Sequence, residues 1–187
     1  NLDCVMCPWR EITQNPGNRG LMSDEVWAAI RPYLSEVNSV DFTGGGEPLL
    51  QPKLEEWIAD AKIAGCETGF LSNGLLLKKD RLKRILDAGV DWICISIDGA
   101  TADIYHKIRI GSDFERVCAN VGNIAELRTA GTPKTMINFV LMHINFHQVE
   151  EILRLAARLG IDQVNFKQCD VIRGDAGKDL GLFGPKE

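Results

Sequence analysis

Asp91-Trp92-Ile93-Cys94-Ile95-Ser96-Ile97-Asp98-Gly99 is the stretch whose reading decides the fold. Isoleucine at every second position has the two-residue period of a β-strand. Ile93, Ile95 and Ile97 then share one face, suited to packing under helices. Trp92, Cys94, Ser96 and Asp98 share the other, with Ser96 and Asp98 nearest the strand's carboxyl end.

Working outward, strand and helix patterns alternate on both sides. Upstream, Lys79 to Ala88 predicts a helix closed by Gly89, and Thr68 to Ser72 a strand ended by the turn signal Asn73-Gly74. Behind Pro52, the residues Leu54, Trp57, Ile58 and Ala61 fall at helical spacing, and Gly65 ends that helix. Ser39 to Thr43 predicts a short strand. Ser23 is placed to cap a helix running to about Leu34, with Asp24 and Glu25 in its first turn. Downstream come a helix from Asp113 to Ala130 closed by Gly131, a strand from Thr135 to Met142, a helix from Gln148 to Leu159 closed by Gly160, and a strand from Asp162 to Gln168. Such alternation means a parallel sheet with right-handed crossovers.

The bulk numbers agree with one domain. The chain has 187 residues, 45% hydrophobic and 25% charged, with a net charge of −5. That charge argues against nucleic acid or a membrane surface as the main partner, and no apolar run is long enough to span a membrane. Of six cysteines only Cys4 and Cys7 lie close together. This is not a disulfide framework, and a reducing cytoplasm is the expected compartment. The βα pattern calls for a strand before Cys4, and none is present. From Asp170 the chain turns glycine-rich (Gly174, Gly177, Gly181, Gly184). The expected division is therefore a core over 1–169, trimmed of its first strand, and a linker or loop over 170–187.

Three motifs carry chemistry. Cys4-Val5-Met6-Cys7 is a C-x-x-C, compatible with a zinc knuckle, a redox pair or a cluster site, and short of ligands within reach in sequence. Thr43-Gly44-Gly45-Gly46-Glu47-Pro48 follows a strand. Consecutive glycines let the backbone approach a ligand, and Glu47 adds a carboxylate beside them. It is not a P-loop, because no Gly-Lys-Ser/Thr follows. Ser96-Ile97-Asp98-Gly99 ends the next-but-one strand, and Arg109 is placed to reach a carboxylate. Parallel α/β folds bind ligands at these carboxyl ends. His106, His143 and His147 form no metal-binding pattern, and a histidine pair at 143 and 147 straddles a strand–helix junction.

Together these residues resemble the radical S-adenosylmethionine (SAM) superfamily, whose hallmark is C-x-x-x-C-x-x-C. Cys4 and Cys7 match its last two cysteines; Gly45-Gly46-Glu47-Pro48, Ser72-Asn73-Gly74 and Ser96-Ile97-Asp98-Gly99 follow at strand ends in the superfamily's order. The resemblance covers essentially the whole chain and is nearest the branch with SPASM or twitch extensions. It implies a partial (β/α)6 TIM-like barrel and a [4Fe–4S] cluster with Cys4 and Cys7 among its ligands. It further implies reductive cleavage of SAM to a 5′-deoxyadenosyl radical that takes a hydrogen atom from substrate. Carried over, the backbone at Met6 meets the adenine, Gly44, Gly45, Gly46 and Glu47 take the SAM amino group, and Ser96 and Arg109 hold the ribose or carboxylate end. Asp98, Asn73 and Asn138 are further cofactor contacts, and no catalytic side chain is assigned. Lys167, alternating with Asn165 on the last strand, is a substrate candidate; the competing reading is a lysine guarding a sheet edge. The partners implied are SAM, a reductant such as flavodoxin or ferredoxin, and a substrate that is either a peptide or protein or a small molecule. Two other classes stand against this reading. One is an α/β-barrel enzyme of non-radical chemistry, and the other a metal-binding interaction module.

Overall fold

The computed structural model describes residues 1–7, 20–169 and 180–181 of the chain. Five strands form one sheet: β1 (Ser39–Asp41), β2 (Glu67–Ser72), β3 (Trp92–Ser96), β4 (Lys134–Leu141) and β5 (Gln163–Gln168). Each pairs in parallel with the next, so every connection steps one place along the sheet. Helix α1 (Asp24–Ile30) precedes β1, and helices fill the connections that follow: α2 (Leu54–Ile63), α3 (Lys79–Asp87), α4 (Ala102–Ile108), α5 (Phe114–Leu127) and α6 (Val149–Arg158). This is the parallel α/β sheet that the alternation predicts, and it matches the partial barrel that the resemblance implies. Among the described residues no helix is long and apolar enough to cross a membrane.

The strand period sorts the two faces of the sheet. Phe70, Ile93, Ile95, Ile97, Ile137 and Phe139 are fully buried and pack with Ile58, Leu82, Ile85, Val121 and Ile152 from the helices. Each such side chain contributes about 1.5–3 kcal/mol. The opposite, inner face is polar. The pairings Ser96↔Asn138 and Asn138↔Asn165 lay three polar side chains across three neighbouring strands. A cavity of about 430 Å³ opens on this face, lined among others by Asp41, Leu71, Cys94, Asn138, Asn165 and Lys167. Its floor is Trp92, whose indole lies over Gly69: a Cβ added there would fall 2.1 Å from the ring.

Several boundaries differ from the sequence reading. The first helix is α-helical only to Ile30, and residues Arg31–Glu36 continue as a 3₁₀ helix, because Pro32 has no N–H to donate. Leu54, not Pro52, opens α2. Helix α5 stops at Leu127 rather than Ala130. Arg128 takes an extended backbone (φ −67°, ψ 148°), and Gly131 belongs to the turn bridging Thr129 and Thr132 instead of closing the helix. Helix α4 was not expected at all. It has seven residues and no side-chain cap, so neither period nor capping marks it. It sits so close to the tip of β3 that a Cβ at Gly99 would lie 2.5 Å from the Tyr105 nitrogen.

At the amino ends of the strands the same staple occurs twice. Asp91, just before β3, accepts from the Thr68 N–H at 2.6 Å and from Lys62 Nζ at 2.7 Å. Asp162, just before β5, accepts from the Thr135 N–H at 2.7 Å and from Arg128 at 2.9 Å. In each case an acid entering one strand ties down the start of the preceding strand. The basic partner lies just before the earlier of the two strands: Lys62 near the end of α2, ahead of β2, and Arg128 just after α5, ahead of β4. Burial works against the Asp91 charge, but Lys62 and the Thr68 N–H more than offset it and hold the carboxyl below its usual range. The Arg128 guanidinium holds Asp162 well below that range.

Candidate functional site

The cysteine turn is docked by its backbone. The Asp3 N–H donates to the Ile110 carbonyl and the Val5 N–H to the Ile108 carbonyl, both at 3.0 Å. Cys4 therefore lies opposite Arg109, in strand-like register. The Cys7 N–H closes the turn on the Cys4 carbonyl at 3.1 Å. Cys4 is buried, while Met6 and Cys7 are half-buried. Arg109 Nη1 donates to Cys4 Sγ at 3.8 Å. Burial pushes the Cys4 thiol up, opposed by the Arg109 charge. Among the described residues no further cysteine, histidine or carboxylate completes a metal-holding group of three.

Asp98 holds the arginine from the other side. Its Oδ2 accepts from Arg109 Nε at 2.7 Å and Nη2 at 2.6 Å, and its Oδ1 accepts from the Val140 N–H at 2.7 Å. Asp98 has no exposed surface. Although it shares a strand face with Ser96, Asp98 does not open into the barrel mouth: its carboxylate ties the tips of β3 and β4 to the end of α4. Burial disfavours the Arg109 charge, yet Asp98 more than compensates, so the guanidinium stays protonated.

The Gly44–Glu47 loop splits into two halves with different reasons. Glu47 is turned inward. Its carboxylate accepts from the Leu49 N–H at 3.1 Å, the Ser72 hydroxyl at 2.7 Å and the Asn73 N–H at 2.9 Å. It stitches this loop to the tip of β2 and presents no carboxylate oxygen free of those bonds. Gly44, Gly45 and Gly46 are exposed. None has a left-handed φ, and a Cβ at Gly44 or Gly46 would meet no protein atom within 4 Å. At Gly44 and Gly46 neither packing nor a left-handed φ explains glycine. The bare backbone does suit a ligand that lies close against it.

Asn73 links the two parts. Its backbone N–H serves Glu47, and its side-chain Nδ2 donates to Asn1 Oδ1 at 2.9 Å, so the segment leading into Cys4 lies against the tip of β2. The soft thiols of Cys4 and Cys7, beside a fixed cation and next to an open glycine loop, fit an iron–sulfur cluster and a small organic cofactor. Of the other expected residues, Ser96 and Asn138 are buried on the inner face, and Lys167 is an exposed residue lining the cavity on the edge strand β5. Burial pushes the Cys94 thiol to about 11, opposed by Lys167, so this cysteine stays neutral near pH 7.

Sequence reasoning missed Asn145 and Gln148. Asn145 is fully buried; its Nδ2 donates to the Asp98 and Val140 carbonyls at 2.9 and 2.8 Å, and its Oδ1 accepts from the Met142 N–H at 2.7 Å. Gln148 accepts from the Ala100 N–H at 2.9 Å and donates to the Thr101 hydroxyl at 3.0 Å. The signal available was two amide side chains at a strand–helix junction. The expected linker over 170–187 lies almost wholly outside the described residues. Within it, Leu180 returns to accept from the His143 N–H at 3.1 Å.

Fold and site define a parallel α/β partial barrel with a cysteine turn and a glycine loop at the carboxyl ends of its strands. The family model described as "Radical SAM superfamily" matches residues 1–156, and the chain belongs to that superfamily. An AdoMet-dependent heme synthase of Methanosarcina barkeri is 31% identical over 165 residues, covering 86% of this chain and 45% of the relative. A probable GTP 3′,8-cyclase of Methanococcus maripaludis is 29% identical over 165 residues, covering 86% and 52%. The chain spans about half the length of these curated relatives. Among solved structures, Streptococcus suis SuiB bound to S-adenosylmethionine superposes with a TM-score of 0.77 at 17% identity, covering 100% of this chain and 41% of SuiB. The structure titled native anSMEcpe with bound AdoMet and Cp18Cys peptide gives 0.74 at 19% identity, covering 97% and 52%. At these identities the likeness is one of fold.

Proposed function

We propose that this chain is the core of a radical SAM enzyme, with Cys4 and Cys7 as ligands of a [4Fe–4S] cluster and S-adenosylmethionine bound against Gly44–Gly46. When bound, the two cofactors supply one-electron cleavage of the sulfonium to a 5′-deoxyadenosyl radical, which takes a hydrogen atom from substrate. The observation that carries this reading is the chain of contacts Asn1–Asn73–Glu47, which joins the cysteine turn to the glycine loop. The protein's own work is to fix those two loops relative to one another and to shield them from water. Ser96 and Asn138 stand on the inner face as polar contacts for the cofactor, and the backbone at Met6 for its adenine. Lys167 on β5 is the substrate-side candidate. The electron comes from a flavodoxin or ferredoxin, and an auxiliary cluster of the SPASM or twitch kind belongs to the same proposal. The substrate is a peptide or protein, or a small molecule; the cavity's mixed lining of Asp41, Asn138, Asn165 and Lys167 accommodates polar groups of either sort.

The test is anaerobic reconstitution with iron and sulfide of the protein extended upstream of Asn1, since Cys4 and Cys7 match only the last two of the hallmark's three cysteines, followed by SAM and dithionite. A brown protein that releases 5′-deoxyadenosine supports the proposal. Zinc in place of iron, or full activity after Cys4→Ala and Cys7→Ala, overturns it in favour of a metal-binding module or a non-radical barrel enzyme.

A further inference from the structure

The resemblance assigns Arg109 to the ribose or carboxylate end of SAM, but the geometry gives its donors other partners. Nε and Nη2 are both turned to Asp98, and Nη1 faces Cys4 Sγ. Arg109 is 9% exposed, so little of the guanidinium is left to meet a ligand. The arrangement is not a loose approach of a long side chain. Backbone bonds from Asp3 to Ile110 and from Val5 to Ile108 flank the pair on both sides and hold residue 4 opposite residue 109. Asp98 in turn is anchored by the Val140 N–H and, through its carbonyl, by Asn145. Three separate elements converge to aim one N–H at one sulfur.

Hydrogen bonds to cluster sulfurs and nearby charge are what a protein uses to set a cluster's potential. A donor held at a ligand sulfur stabilises the more negative, reduced state. We infer that Arg109 is a positioning residue that donates to the Cys4 sulfur and raises the reduction potential of the cluster this cysteine would hold, and that it makes no contact with S-adenosylmethionine. The inference rests on the radical SAM reading. Asp98 has the opposing part: it orients the guanidinium and offsets part of its charge, so it draws the potential back down.

The opposite signs make the test specific. In the cluster-loaded protein, the midpoint of the one-electron couple is read by redox titration with electron paramagnetic resonance. Arg109→Gln removes the charge and shortens the fork that aims an N–H at the sulfur, and should make the cluster about tenfold harder to reduce, a shift of about 59 mV to more negative potential for one electron. Arg109→Lys keeps a charge but not the planar fork, and should shift in the same direction by less. Asp98→Asn keeps an acceptor for the Val140 N–H and releases the guanidinium charge, so its midpoint should move to more positive potential. SAM affinity in Arg109→Gln should stay within about threefold of the parent.

Unchanged midpoints overturn the inference. So does a fall in SAM affinity of tenfold or more with the midpoint in place, which returns Arg109 to the cofactor. Shifts of the same sign in Arg109→Gln and Asp98→Asn, or loss of the cluster from all three variants, leave only a structural role and also overturn it. A parent protein extended upstream of Asn1 that loads no cluster instead overturns the radical SAM reading beneath it, which separates the two failures.

Discussion

The two ends of the strands use one chemical device for two purposes. At the amino ends, Asp91 and Asp162 each join a backbone N–H, a threonine hydroxyl and a basic side chain. At the carboxyl ends, Asp98 joins a backbone N–H and Arg109. The lower staples repeat, lie partly in solvent and link residues 23 to 34 positions apart. The upper one occurs once among the described residues, is buried, and its arginine reaches 105 positions back to Cys4. Repetition and exposure mark the lower set as fold maintenance. Burial and a long-range contact to a thiol mark the upper one as part of the site. Conserving stability at one face and reserving the other for chemistry is the usual division of labour in barrels of this kind.

The comparison breaks most sharply at Asp98. Asp98→Ala leaves Arg109 buried without its carboxylate, a loss of about 3–5 kcal/mol, readable as a fall in urea midpoint. Asp98→Asn keeps an acceptor and should cost less. An effect no larger than that of Asp162→Ala would erase the distinction between the two ends.

Next is the glycine beneath the cavity floor. Gly69→Ala drives a methyl into the Trp92 ring and should cost about 1–3 kcal/mol of stability, measured by thermal unfolding. Trp92→Ala in the same background should relieve the clash, so a double variant whose loss equals the sum of the two single losses would contradict this account of the cavity floor.

Asp162→Asn should cost about 1–2 kcal/mol near neutral pH. Its pH dependence has a fixed sign. The folded carboxyl titrates below its unfolded value of about 4, so its contribution is complete above that value and is lost as pH falls through the lower folded one. Denaturant midpoints of parent and variant should therefore differ by a constant amount above about pH 5 and converge below about pH 4. A gap that widens on acidification would show that Arg128 does not hold this group.

The smallest effect on stability belongs to Gly44→Ala or Gly46→Ala, within about 0.5 kcal/mol, because the added methyl meets no protein atom. The same variants should weaken SAM binding by about tenfold or more in calorimetry. Unaltered binding would remove these glycines from the site.

Much of the architecture was legible in the chain. Ile93, Ile95 and Ile97 announce their face through period alone, and Gly65, Gly89 and Gly160 mark helix ends with left-handed φ of 92°, 87° and 68°. Helix α4 was not legible, since Ala102–Ile108 is too short for its period to show and its helical state depends on Tyr105 and Ile108 packing into the core. Glu47 was legible as a site residue by motif, but its inward turn was not, because Ser72 and Asn73 reach it only once β1 and β2 lie side by side.

By itself, then, the order of residues determined what is local: the strand and helix periods, the glycine breaks, the C-x-x-C turn and the motifs at strand ends. Only the tertiary structure decided which polar groups face inward as struts and which stay open to a ligand. Arg109 meets Cys4 because α4 carries it there and the backbone at Ile108 and Ile110 clamps the amino-terminal segment. A contact across 105 positions has no periodic trace in a sequence; it exists only where packing has removed water and left a buried charge one partner on each side.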